Sequence, residues 1–153
     1  MYVLIADGAV SQYPYFINLL KQAHPNVSFP KTLSAEVLNS YNVFEVQPSD
    51  QPSADHTKNI VESNPVLQDG NWVQQWTIQD ASAETINERT TLEASLVRAE
   101  RGARLEQSDW TQMADSPLTD EKKAEWATYR QSLRDVTSQS GFPFTVNYPT
   151  EPS

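Results

Sequence analysis

The sequence predicts an α+β protein: a small N-terminal module of β-hairpins and short helices, then a C-terminal helical hairpin with an extended tail. Three observations lead there. Asp7-Gly8 and Asp69-Gly70 each sit between β-forming runs, and an Asp-Gly pair in that setting signals a two-residue hairpin because Gly tolerates positive φ. From residue 83 to 107 there is no Pro and a single Gly, Gly102, as a long helix requires. Further on, Thr119-Asp120-Glu121 stands ahead of Trp126, Tyr129, Leu133 and Val136 at helical spacing, which is a capped amphipathic helix. The composition changes near Ser82, so the expected modules are residues 1–81 and 82–153.

Taken in order, Tyr2 to Ala6 is an apolar first strand, and the run after Gly8 is its hairpin partner until Pro14 breaks it. Phe16, Leu19 and Leu20 then follow helical spacing, and Pro25 ends that helix. Leu33 to Tyr41 reads as a short helix capped by Ser34, and Val43 to Val46 as a strand. Gln47 to Asp55 is rich in Pro, Ser and Asp and reads as an exposed loop. The second hairpin has arms near Thr57–Leu67 and Asn71–Asp80. Trp72, Gln74, Trp76 and Ile78 alternate with Val73, Gln75 and Thr77, which predicts one buried face, and Pro65 predicts that the first arm is an edge strand.

In the long helix, Leu92, Leu96, Ala99 and Ala103 recur at a four-three-four spacing. That is a narrow coiled-coil type of stripe, too weak to hold the helix alone. The expectation is that it packs on the Trp126 helix or on a partner. Asp109 to Leu118 is the connecting loop, and Gly141 is expected to stop the second helix. Phe142, Phe144, Val146 and Tyr148 then alternate between Pro143 and Pro149. This predicts an extended segment with its apolar side chains on one side. Two fates are open to it: lying across its own helices or sheet, or adding to the edge of a partner.

Composition narrows the function. The net charge is −9, with 8 acids against 3 bases in the first 80 residues and 12 against 8 in the rest. Acid spread in this way disfavours nucleic acid as a partner. With no cysteine, thiolate catalysis and Cys-based metal sites are excluded. No basic segment precedes an apolar run, and no run reaches the length of a membrane span. A soluble protein of the cytoplasm is expected.

No catalytic constellation emerges. His24 ends a helix, where free carbonyls explain it, and His56 lies in a polar loop. Asp120 and Glu121 suit a helix N-terminus without any metal. Asp50 and Asp55 lack the spacing of a calcium loop. No phosphate-binding Gly-rich loop, GxSxG or HExxH occurs. The expectation is a non-enzyme without cofactor or metal. The aromatics remain. Trp72 and Trp76 are expected to cover the sheet, and Trp126 to join the helices. Trp110, in a polar stretch, either folds back onto the helix pair or meets a partner. The candidate partner-binding residues are Trp110, Trp126, Tyr129, Phe142, Phe144 and Tyr148.

The same region carries a family pattern: SDWTQ at Ser108 to Gln112, DSPLT at Asp115 to Thr119, EKKAEWATYRQSLRD at Glu121 to Asp135, and GFP at Gly141 to Pro143. This run resembles the C-terminal region of the tail-fibre assembly chaperones of bacteriophages and prophages. Upstream, only the layout of PVLQDGNWVQQW is similar. The resemblance implies a chaperone that binds the C-terminal, receptor-facing part of a phage tail-fibre protein in the host cytoplasm and promotes its folding and trimerisation. The alternative is a virion component retained at the fibre tip as a cap or adhesin. The residues themselves say only that this is a binding protein.

Overall fold

Both Asp-Gly pairs turn the chain as expected. A computed structural model describes every residue from Met1 to Ser153, and at each turn both central residues have positive φ: Asp7 and Gly8 at 50° and 77°, Asp69 and Gly70 at 48° and 80°. That is the type I′ geometry, whose twist matches that of the flanking strands. The chain divides into two compact units, Met1–Asp80 and Ala81–Ser153.

The N-terminal unit contains β1 (Tyr2–Ala6), β2 (Ala9–Tyr15), α1 (Ile17–Ala23), α2 (Ala35–Ser40), β3 (Val43–Gln47), β4 (Lys58–Gln68) and β5 (Asn71–Asp80). They form one five-stranded sheet in the order β2-β1-β3-β5-β4. All neighbours are antiparallel except β3 and β5, which run parallel and meet only at Val46–Trp72 and Gln47–Val73. The helices cover one face. Leu20 of α1 and Leu38 of α2 are buried with Tyr15 and Val43, and Tyr2, Leu4, Phe29 and Tyr41 pack around them. Strand alternation puts Val3 and Val46 on the opposite face, and both are buried as well. Ser34 caps α2 as expected, its hydroxyl accepting from the Val37 amide.

Three expectations for this unit need correction. Pro14 does not end β2. The strand continues to Tyr15, which pairs with Tyr2 across two register shifts. Because β2 is the first strand of the sheet, its outer side makes no ladder that a missing N–H would interrupt. The second correction concerns β5. Trp72 and Trp76 are half-buried, but Ile78 is 48% exposed, so its outer half has no single buried face. That half runs past the end of β3, leaving only β4 beside it. The third is minor: the second helix is Ala35–Ser40, shorter at both ends. Pro65 lies, as expected, on an edge strand, at the register break between Ser63 and Val66. The two ends of the sheet order also meet. The Tyr13 hydroxyl of β2 donates to Glu62 Oε1 of β4, and Gln74 Nε2 of β5 donates to the same oxygen at 2.6 Å.

The C-terminal unit is a helical hairpin of α3 (Ala83–Gln107) and α4 (Asp120–Asp135), with 3-10 turns at Asp109–Gln112 and Val136–Ser138. Ser82 and Thr119 cap the two helices, accepting from the Thr85 and Lys122 amides. Trp126, Tyr129, Leu133 and Val136 are all buried, as their spacing predicts. The stripe on α3 is a different matter. Leu92 and Leu96 are 63% and 55% exposed, and the buried residues are Ala94 and Val97. The inward face of the helix is the one that carries Ala94, Val97 and Leu105, and Leu105 packs on the core of α4. Gly141 does not stop α4 either. The helix ends at Asp135 and tightens into a 3-10 turn.

Candidate partner-binding surface of the C-terminal unit

The SDWTQ segment and the Trp126 helix are built as one piece. Ser108 caps the end of α3, its hydroxyl donating to Arg104 and Leu105 carbonyls at 2.8 and 3.0 Å. Arg130 of α4 reaches across with its whole fork. Nη1 donates to the Leu105 carbonyl at 2.6 Å and to Ser108 Oγ at 2.7 Å, and Nη2 donates to Asp109 Oδ1 at 2.6 Å. Thr111 is fully buried, its hydroxyl donating to the Ser108 carbonyl at 2.6 Å. Gln112 donates to Thr111 Oγ1 and to the Lys123 carbonyl of α4. Four of the five residues in this segment therefore hold the hairpin together. The fifth, Trp110, is 46% exposed and lies against Trp126 with ring centroids 6.3 Å apart. Of the two fates open to it in the sequence, the structure shows the ring folded back onto the helix pair, with part of it facing solvent.

Trp126 in turn meets Tyr129 edge-on at 5.6 Å. These two, with Leu133, form the core against which Leu105, Leu118 and Tyr148 pack. At 8% and 5% exposure, Trp126 and Tyr129 lie beneath the surface and support what stands on it.

The tail is not the expected strand. Phe142 to Thr145 form a turn, in which the Thr145 amide donates to the Gly141 carbonyl at 2.7 Å. A Cβ on Gly141 would lie 2.4 Å from the Thr145 carbonyl oxygen, so this glycine serves a close backbone approach. The turn breaks the alternation: Pro143 is buried, and Phe144 is 38% exposed. Beyond it, Gln139 holds Asn147 through two bonds of 2.8 Å, one to its carbonyl and one from its amide.

Of the two fates open to the tail, the structure has it lying on its own helix. The Tyr148 hydroxyl donates to the Val97 carbonyl at 3.3 Å. Arg104 covers the Tyr148 ring at 4.6 Å and Arg98 the Phe142 ring at 5.4 Å, both within cation–π range. Burial, reinforced by the nearby Glu100 and opposed by Arg104, raises the Tyr148 hydroxyl above the usual tyrosine range. The bond that Arg104 donates to Glu100 likewise raises the Arg104 guanidinium, so both partners stay protonated at neutral pH.

The six candidate residues thus fall into two groups. Trp126 and Tyr129 are core. Trp110, Phe142, Phe144 and Tyr148 reach the surface to different degrees around it. Arg130, Ser108, Thr111 and Gln139 were missed by sequence reasoning. A signal for Arg130 existed: it stands four residues after Trp126, on the same helical face.

No group of three or more His, Cys, Asp or Glu side chains is placed to hold a metal ion. No helix is long and apolar enough to cross a membrane. Comparison with known families then adds a direct finding. Residues 94–153 match the family model described as phage tail assembly chaperone protein. Over those residues the chain is similar to phage tail assembly chaperones. The match spans the last part of α3, the Arg130 frame, α4 and the tail, which are the parts that carry the sequence pattern. No curated protein and no solved structure gives a significant match to the chain.

Proposed function

We propose that this protein is a phage tail assembly chaperone that acts on a tail fibre, binding the C-terminal, receptor-facing part of the fibre chain in the host cytoplasm and promoting its folding and trimerisation. The observation that carries the reading is the division of labour inside the matched region. Its polar residues are used to fix α3 to α4, and that frame brings aromatic rings to the surface: Trp110 at 46% and Phe144 at 38% exposure, with the half-buried Tyr148 in one groove with Phe144. Trp and Tyr are the residue types that dominate binding hot spots.

A fibre trimer of intertwined strands has a high contact order and exposes apolar surface and strand edges while it folds, so it is slow and prone to aggregate. A small acidic protein can cover such surface without catalysis, and its own charge opposes aggregation. The test is co-expression of the cognate fibre with and without this protein, measuring soluble, SDS-resistant trimer. The expected result is trimer only in its presence. Equal yields would remove the reading.

A further inference from the structure

The fold of the C-terminal unit leaves the α3 stripe uncovered, with Leu92 and Leu96 more than half exposed. Beside Leu96 the tail crosses the helix, and between the two lies an open groove of about 320 Å³. Leu96, Pro143, Phe144 and Val146 line it, and Glu93 and Glu100 stand on its α3 side. The two carboxylates differ. Glu100 accepts from Arg104 Nε at 2.7 Å. Glu93 is half-buried, and its carboxylate forms no hydrogen bond or ion pair within the unit. A carboxylate with no partner of its own gains from a cation brought to it beside an apolar surface.

Charge around the stripe selects the partner further. Residues on a helix are about 100° apart. That spacing puts Glu93 and Glu100 along one border of the Leu92–Leu96–Ala99–Ala103 row, and Glu88 and Glu106 along the other, with Arg89 at its N-terminal end.

The geometry points to a docking site for a basic amphipathic segment of another protein chain. Its apolar side chains cover Leu92 and Leu96. A Lys or Arg lays its aliphatic stem in the groove and its charged head on Glu93, as such side chains do at apolar surfaces with a polar rim. A second copy of this chain would instead bring acid against acid along both borders, which opposes association. The inference rests on the reading that this unit engages another chain, and names the chemistry of what it engages.

The test uses the full chain and two labelled three-heptad helical peptides with the same Leu seam, one flanked by Lys and one by Glu. Binding is read by fluorescence anisotropy. The Lys peptide is expected to bind and the Glu peptide not. Glu93→Gln should weaken the Lys peptide about tenfold, equivalent to roughly 1.4 kcal/mol, while Asp115→Asn, an equal loss of charge in the exposed connecting loop, leaves it unchanged. Leu96→Glu should abolish binding with the helical circular dichroism intact. Failure of the Lys peptide to bind, equal binding of both peptides, or equal effects of Glu93→Gln and Asp115→Asn would overturn the proposal. So would a dimer in sedimentation equilibrium that Leu96→Glu dissolves. Fibre trimer yield is a separate readout: loss of fibre dependence with peptide binding intact removes the chaperone reading and leaves the site.

Discussion

Replacing Arg130 by Met keeps the length of the side chain and removes every donor. Three bonds are lost: to the Leu105 carbonyl, to Ser108 Oγ and to Asp109. They are not equal. The Arg130 side chain is 9% exposed and Asp109 is 59% exposed, so the ion pair is largely solvated on its acidic side and contributes at most about 1 kcal/mol. The bonds to Leu105 and Ser108 come from a charged donor inside the hairpin, a class worth about 1.5–3 kcal/mol each. Ser108 keeps its own bonds to α3 after the substitution, which reduces its share. Met also gains apolar burial beside Trp126 and Leu133, of the order of 1 kcal/mol.

The net expectation is a loss of roughly 2–4 kcal/mol from the C-terminal unit. At about 4–8 °C per kcal/mol for a unit of this size, its melting transition should fall by roughly 8–30 °C. Arg130→Lys should recover less than half, because one ammonium cannot serve three acceptors in a fixed fork. Asp109→Asn should cost under about 1 kcal/mol. Thermal melts followed by circular dichroism and tryptophan fluorescence decide it. If Asp109→Asn costs as much as Arg130→Met, the exposed ion pair carries the joint and the reasoning from burial is refuted.

Two further outcomes follow from backbone space and from pH. Gly102→Ala, whose Cβ would meet nothing within 4 Å, should stabilise α3 by up to about 1 kcal/mol. Gly141→Ala should destabilise by about 1–3 kcal/mol, because its Cβ is driven into the Thr145 carbonyl; denaturant titration of the pair would refute this if the signs agreed. Burial first, and then the bond and charge of Glu62, hold the Tyr13 hydroxyl far above the usual tyrosine range. Unfolded tyrosine loses its proton near pH ~10, so this contribution to stability is complete below that value and drains as the pH rises from there toward the folded pKa. The stability gap between wild type and Tyr13→Phe should therefore shrink between about pH 9 and pH 11. A constant gap would mean that the proton is not retained on folding.

Most elements of this protein were legible in the sequence, because they rest on local rules. The Asp-Gly turns, the Ser34 and Thr119 caps and the Trp126–Val136 face follow from backbone sterics and helical period, which need only neighbouring residues. The edge position of β4 followed from one proline. The family pattern was also legible, since it is written in consecutive residues. What the tertiary structure decided was which of two available surfaces each element buries.

On α3 the sequence offered the narrow Leu92–Leu96–Ala99–Ala103 stripe as the packing face, and the fold buries Ala94 and Val97 instead. The reason lies in α4. Arg130 must reach the carbonyl end of α3, and Tyr148 must reach the Val97 carbonyl. Together they fix the rotation of α3 about its axis. The Phe142–Tyr148 alternation failed for the same kind of reason. A strand needs a ladder partner, the unit provides none, and the turn at Gly141 through Thr145 carries the aromatic rings to Arg98 and Arg104. Polar groups that bridge distant segments set these choices, and no window of local sequence contains both ends of such a bridge.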